Sequence, residues 1–273
     1  MSGGGKSKAS VNAAAPRIPG RPVLAITSGR GGTGKASLCL NLAAALTRRG
    51  LRVLVIDADL GMTTLARDLG LGRVTTLGEQ HLANAGFDSA RLPTAQGFEL
   101  IVVGMGGTEF ALLNPEADAR LREGIARAGQ TDDVVLLNAG SNVSEIALYA
   151  VGLATHALLV STSEADALSD TYALSKVLVA QRPSMPLGLV VTQVAPGLGT
   201  LVHRRMLATL RQHADPKADL TGIGEIPDVA FAEELGRMSP VASSPGFERA
   251  AYNEVAARVL DWLARPAGDV HGR

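Results

Sequence analysis

Residues 28–37 read Ser-Gly-Arg-Gly-Gly-Thr-Gly-Lys-Ala-Ser, a stretch whose residue types and spacing fit polyphosphate chemistry. Gly29, Gly34 and Lys35 match the pattern G-x-x-x-x-G-K. There the glycines let backbone N–H groups converge on phosphate oxygens while the lysine reaches the outer charges. The pattern normally continues with Ser or Thr, whose hydroxyl binds Mg²⁺. Here the next residue is Ala36, and Ser37 lies about 100° further round any helix that begins at the lysine. The same loop also satisfies Gly29-x-Gly31-x-x-Gly34, with Asp57 closing the next apolar run, so the loop by itself leaves a dinucleotide reading open.

Two further stations carry acid or amide groups. The run Leu51–Ile56 ends in Asp57-Ala58-Asp59, and the run Val134–Leu137 ends in Asn138-Ala139-Gly140. An apolar strand that delivers polar side chains to a loop is the way parallel sheets build phosphate sites. Asn138 closes the second of these runs where Asp57 closes the first. An amide keeps hydrogen-bonding capacity but brings no negative charge to a divalent cation.

These stations need an alternating frame of strands and helices. Val23–Thr27 reads as a buried strand leading into the loop. Leu38, Leu40, Leu42, Ala43 and Leu46 give a helix that stops at Arg48-Arg49-Gly50. Further strands are predicted at Phe98–Val103, His156–Thr162, Pro186–Val194 and Gly222–Ile226. Helices are predicted at Pro115–Ala128, Ser144–Leu153, Glu164–Leu178, Leu201–His213 and Phe247–Ala264. Residues 60–97, broken by six glycines and Pro93, are expected to form short helices on a nucleotide-responsive, partner-facing surface. The fold class is α/β, a mainly parallel twisted sheet with helices on both faces, here a P-loop type.

The loop and the D-x-D pair resemble the MinD/ParA family of deviant Walker A ATPases, whose loop reads K-G-G-x-G-K-[ST]. Arg30 stands at that family's signature lysine. The stretch Asp57-Ala58-Asp59-Leu60-Gly61 and the segment from Glu164 to Leu178, with Asp170-Thr171-Tyr172-Ala173-Leu174-Ser175-Lys176, are similar to the FlhG/FleN flagellar-number regulators within it. The resemblance covers about residues 22–264. It implies ATP/ADP as ligand, held by Gly29, Gly31, Gly32, Thr33, Gly34, Lys35, Ala36, Ser37 and Gly140. It assigns Arg30, Asp57 and Asp59 to catalysis, with Arg30 reaching across an ATP-dependent homodimer and Asp59 orienting water. Asp57 is the one remaining candidate metal ligand, because Ala36 and Asn138 replace the usual supports, so Mg²⁺ is expected to be poorly held.

Two functions follow from the resemblance. One is a dimerising switch that regulates placement or number of a cell-surface machine such as the flagellum, with weak or lost hydrolysis. The other is a pseudo-ATPase adaptor acting through protein contacts, with a DNA-partitioning ATPase less favoured. A loop that merely holds a structural anion is the competing reading outside the family. In relatives an Asn after the strand at Pro186–Val194 contacts adenine, whereas Thr192-Gln193 stand here.

Composition bounds the rest. The 273 residues carry 26 Lys+Arg and 26 Asp+Glu, so no global charge calls for nucleic acid or an anionic membrane. The basic helix with His203, Arg204, Arg205 and Arg211 is read as a solvated face rather than a DNA contact. The single cysteine, Cys39, falls on an apolar helix face, which argues against a disulfide framework or metal cluster. It also argues against the iron–sulfur branch of the resemblance. Residues 1–21 lack an apolar core for a secretory signal and read as a disordered arm without the D-Q-A-x-x-L-R element of flagellar relatives. The expected organisation is this arm, one domain at 22–264 and a flexible tail at 265–273. The expected location is cytoplasmic, with membrane contact through the final amphipathic helix not favoured.

Overall fold

The computed structural model describes residues 22–59, 64–82, 86–104, 114–228 and 247–265. In chain order the elements are β1 Val23–Ser28, α1 Lys35–Thr47, β2 Val53–Asp57, α2 Thr64–Asp68, α3 Leu77–Leu82, a 3-10 turn at Phe87–Ala90, β3 Leu92–Pro93 and β4 Glu99–Val102. Then come α4 Pro115–Thr131, β5 Val134–Ser141, α5 Glu145–Gly152, β6 His156–Ser161, α6 Ala165–Gln181, β7 Leu187–Val194, α7 Leu198–His213, β8 Thr221–Pro227 and α8 Phe247–Leu263. The eight strands form one sheet in the order β3-β4-β2-β5-β1-β6-β7-β8. Every pairing is parallel except β3 with β4.

Strands β1, β2 and β5 are apolar on both faces because both faces are covered. Alternate residues divide between two cores. Val23 and Ala25 join Leu54, Ile56, Val135 and Leu137 under α4, α5, α6 and α7. Leu24 and Ile26 join Val53, Val55, Val134 and Leu136 under α1, α2 and α8. Helix α1 is buried along most of its length, with Leu38, Leu42, Ala43 and Leu46 inaccessible to solvent. It ends where the sequence placed its stop, with Gly50 at φ 83°. In α4, Asn114 accepts from the N–H groups of Glu116 and Ala117, with Pro115 at the first helical position.

Helix α8 packs on β8 and α1 through Val255, Ala256, Val259, Trp262 and Leu263. Arg49 donates to the Asn253 carbonyl at 2.8 Å, which ties the two helices further. Its apolar stripe is thereby used inside the fold, as the sequence favoured. No described helix is long and apolar enough to cross a membrane.

Several boundaries differ from the sequence reading. Strand β5 does not end at Asn138 but runs to Ser141. The Gly140 carbonyl accepts from Thr27 Oγ1 at 3.1 Å, and the Asn142 N–H donates to the Ser28 carbonyl at 2.8 Å. Helix α7 starts at Leu198 rather than Leu201, because Glu225 of β8 accepts from the N–H groups of Gly197 and Gly199 and caps the helix from outside. The stretch 60–97 contributes α2, α3 and the 3-10 turn, plus the two-residue edge strand β3, which the sequence did not announce. The expectations for residues 1–21, for Leu60 and Gly61, and for the tail beyond residue 265 lie outside the described residues.

Cys39 is fully buried, and burial pushes its thiol up to about 12. Reaction with an aromatic disulfide reagent should therefore be at least about 100-fold slower in native protein than in denaturant. Equal rates in a thiol-labelling time course would show that α1 is not packed as described.

Candidate functional site

The loop between β1 and α1 lies at the carboxyl end of the central strand, between the ends of β5 and β6, in the crevice where open parallel sheets place their ligands. Gly34 is left-handed at φ 76° and precedes α1 without any side-chain cap. The first amide groups of that helix, with the positive end of its dipole, are left for a ligand. Around them opens a cleft of about 730 Å³, lined by Gly31 to Ser37 and by Asp59, Gly140 and Ser144 among others. Gly31 and Gly32 have open space where a side chain would stand. Gly29 is held differently: a Cβ there would sit 2.2 Å from the Asp170 carbonyl carbon. The glycine lets the loop press against the start of α6.

Lys35, only 7% exposed, is the hub of the polar network. Its Nζ donates to Asp59 Oδ2 at 2.7 Å and to Asn138 Oδ1 at 2.9 Å. An ammonium has no acceptor, so Asn138 must turn its oxygen to Lys35 and its NH₂ the other way. That NH₂ donates to Asp57 Oδ1 at 2.8 Å, and the Asp59 N–H approaches the same oxygen at 3.4 Å. Asp57 is 1% exposed, and its Oδ2 finds no hydrogen-bond partner. Burial raises its carboxyl from the ordinary 3.8 to about 6, against the opposing hydrogen bonds from Asn138 and Asp59. The three stations separated in sequence therefore meet in one chain: Asp59, Lys35, Asn138, Asp57.

The remaining positions are more dispersed. Ala36 packs against the α1 side of the core. Ser37 Oγ lies 3.2 Å from the Tyr252 hydroxyl on α8, consistent with the turn of helix expected from its place after the lysine. Gly140 is left-handed at φ 76°, and a Cβ there would meet Asp59 Oδ1 at 3.4 Å. Arg30 was expected to reach across a dimer. In the single chain its guanidinium lies 3.6 Å from Asp166 and 3.8 Å from Asp170 on α6.

Sequence reasoning missed the clamp on the far side of the loop. Thr192 Oγ1 lies 2.5 Å from the Thr33 carbonyl and 3.2 Å from that of Ser161, and Gln193, left-handed at φ 52°, donates from Nε2 to the Gly32 carbonyl at 3.1 Å. These two residues fix the loop from β7. Ser28 Oγ adds a bond to the Arg30 carbonyl at 2.7 Å. Thr33 Oγ1 is buried and without a partner.

A parallel sheet with a glycine loop, a buried lysine at the start of α1 and acids at the end of the neighbouring strand defines the P-loop class of nucleotide-binding domain. Residues 24–241 match the CobQ/CobB/MinD/ParA nucleotide binding domain, and the chain belongs to that family. It is similar to the antiactivator FleN of Pseudomonas aeruginosa, 30% identical over 156 residues, covering 57% of this chain and 56% of FleN. The chain thus matches little more than half of FleN's length. It is also similar to the flagellum site-determining protein YlxH of Helicobacter pylori, 23% identical with 88% of this chain and 80% of YlxH covered. Among solved structures, the septum site-determining protein MinD of Pyrococcus horikoshii, complexed with Mg-ADP, superposes with a TM-score of 0.64 at 23% identity, covering 92% of this chain and 99% of that one.

Proposed function

We propose that the protein is a nucleotide-dependent switch of the MinD/ParA type, of the kind that regulates placement or number of a cell-surface machine such as the flagellum, with hydrolysis slow or lost. ATP or ADP would lie in the cleft beside α1, its phosphates on the loop amides and Lys35, with Gly140 close to the outermost phosphate. The observation that carries this reading is the closed chain Asp59, Lys35, Asn138, Asp57. It keeps the cation that holds phosphates and sets an amide, Asn138, where a metal would need a charged group.

Mg²⁺ would be held poorly, with Asp57, whose Oδ2 has no hydrogen-bond partner, as the one usual support left. That ion wants near-octahedral oxygen ligands, usually with one or two carboxylates and a hydroxyl from the chain. The Ala36 side chain has no oxygen, the Ser37 hydroxyl is bonded toward α8, and Asn138 turns NH₂ protons toward Asp57. Phosphoryl transfer depends almost wholly on positioning and charge stabilisation, so the loss of both supports together removes much of the transition-state stabilisation. The single domain at 22–264, and Asp57, Asp59 and Arg30 as its residual catalytic set, belong to this proposal. So does an ATP-dependent homodimer, in which Arg30 would leave Asp166 and Asp170 for the partner's nucleotide. Its long surface ion pairs are weak enough to exchange.

The adaptor reading shares the surface but not the ligand. Equilibrium binding of ATP and ADP with and without Mg²⁺, alongside phosphate release, separates the two. Metal-independent binding with little release supports the switch. No binding at any Mg²⁺ level overturns it in favour of the adaptor, and rapid Mg²⁺-dependent turnover overturns the claim of lost hydrolysis. A DNA-partitioning role is less favoured because Arg211 Nε donates to the Ala218 carbonyl at 3.0 Å and His203 Nε2 is bonded to that of Leu220, so part of the basic helix is spent inside the fold.

A paired restoration tests the metal argument. Asn138→Asp alone sets a second carboxylate against buried Asp57 and should lower stability without Mg²⁺. Ala36→Thr with Asn138→Asp should raise Mg²⁺-dependent phosphate release at least about tenfold. Unchanged release from the double variant would mean that the missing supports are not what limits turnover.

A further inference from the structure

We propose that residues 16–21 fold back into the groove between α4 and α5, at the amino end of β1, so that the chain covers this groove with its own N-terminal segment. The groove has a volume of about 700 Å³ and is walled by Val23, Ile125, Ala126, Gln130 and Leu153. Val23 and Ile125 are buried and give it an apolar floor, while Ala126 and Gln130 on its rim are exposed. Position names the occupant. The Pro22 carbonyl accepts from the Val135 N–H at 3.1 Å, and Val23 exchanges hydrogen bonds with Thr155, which also lines the groove. Residues 1–21 therefore join the fold at the groove's mouth, and a segment tethered there acts at an effective concentration on the order of millimolar. From Arg122 to Gln130 the groove follows about two turns of α4, roughly 12 Å. Five extended residues, Arg17 to Arg21, span about 16 Å. That length brings Ile18, the only large apolar side chain between Val11 and Pro22, over the floor. Pro16 and Pro19 restrict their own backbone and that of the residues before them, so less chain entropy is lost on docking.

Charge points the same way. Residues 1–21 carry Lys6, Lys8, Arg17 and Arg21 and no acid. The groove reaches the carboxyl end of α4, where the Asp132 N–H bonds back to the Ala128 carbonyl but the Asp133 and Val134 N–H groups both go to Arg52. Among the described residues the Gly129 and Gln130 carbonyls are thereby left without a backbone donor, at the negative end of the helix dipole. Arg17 and Arg21 bring the donors that such carbonyls lack. The end of α5 is already answered, since Arg182 Nη2 stands 2.5 Å from where a Gly152 Cβ would be. Arg122, the cation on the groove wall, is held by Asp118 at 2.7 Å and lies over the Tyr149 ring. The docking needs nothing in the cleft at the other end of β1, so it stands or falls independently of the proposed nucleotide function.

Limited trypsin digestion of the full chain, read by mass spectrometry, tests the docking. Trypsin cuts after Lys8 and after Arg17, whereas Pro22 shields the bond after Arg21. Normalised to the same two bonds in a synthetic peptide of residues 1–22, the bond after Arg17 is expected to be cut at least about fivefold more slowly than the bond after Lys8. Ile18→Ala removes the apolar anchor, and Ala126→Arg sets a further cation on the exposed wall; each should abolish the difference. Thermal unfolding confirms that Ala126→Arg is folded, and Ile18→Ala, outside the described residues, reads the contact if it is not. Equal normalised rates in wild type, or protection that survives both substitutions, would overturn the proposal. So would protection that fades on dilution, which would place the segment on a second molecule.

Discussion

Lys35→Ala is expected to weaken ATP binding by a factor of about 100 or more, because charge-assisted hydrogen bonds to phosphate are among the strongest single contacts a site can make. The lysine sits at the first residue of α1 and is already committed to Asp59 and Asn138. It has a third proton to offer, and a triphosphate can compete for the other two. Truncation therefore does more than remove a phosphate contact. It leaves Asn138 Oδ1 without its donor in a fully buried position and takes away a cation that lowers the Asp57 carboxyl. A melting temperature lowered together with the lost affinity is the expected signature, read by isothermal titration and thermal unfolding on the same sample. Undiminished affinity would mean that the nucleotide does not use this loop.

The network around Lys35 shows which parts of the site can be read along the chain and which cannot. Loop, lysine and D-x-D pair were legible because each is local: a glycine pattern, or a polar ending on an apolar strand. The buried strands were legible for the same reason, as β1 and β2 are continuous apolar runs bounded by polar residues. Contacts made at long range were not. The Thr192 hydroxyl reaches the Thr33 carbonyl across 159 residues, and nothing near either residue announces the pairing. The chain position of Asn138 showed that a charge was missing, but not that its amide would be oriented by Lys35 and aimed at Asp57. Arg30 was read through its family role in a dimer, whereas its nearest acids in the fold come from its own α6, where Gly29 permits close approach. Edge strand β3 is two residues long and has too little pattern to detect. The exposure of Leu198 and Leu201 was not legible either. Only the packing of α7 shows that its core face is Val202, Met206 and Leu210 instead.

Asp57→Asn is expected to change how stability depends on pH, by an amount that grows to about 3 kcal/mol. In the folded chain burial holds the Asp57 carboxyl near 6, against 3.8 in the open. The native state therefore binds this proton more tightly than the unfolded state. The stability linked to it is fully present below about pH 4 and is lost as pH rises through 6. Asparagine has no such proton, and it keeps an oxygen that can accept from Asn138. The difference in unfolding free energy between variant and wild type should thus be flat below about pH 4, rise in the variant's favour between 4 and 6, and level off above. Taking the difference cancels the opposite trend of surface acids such as Asp118, which Arg122 and Tyr149 hold below the ordinary carboxylate range. Urea unfolding at half-unit pH steps measures it. A difference that does not vary with pH would show that Asp57 is ionised at no cost, and that the orphaned Oδ2 is reached by water or a cation in solution.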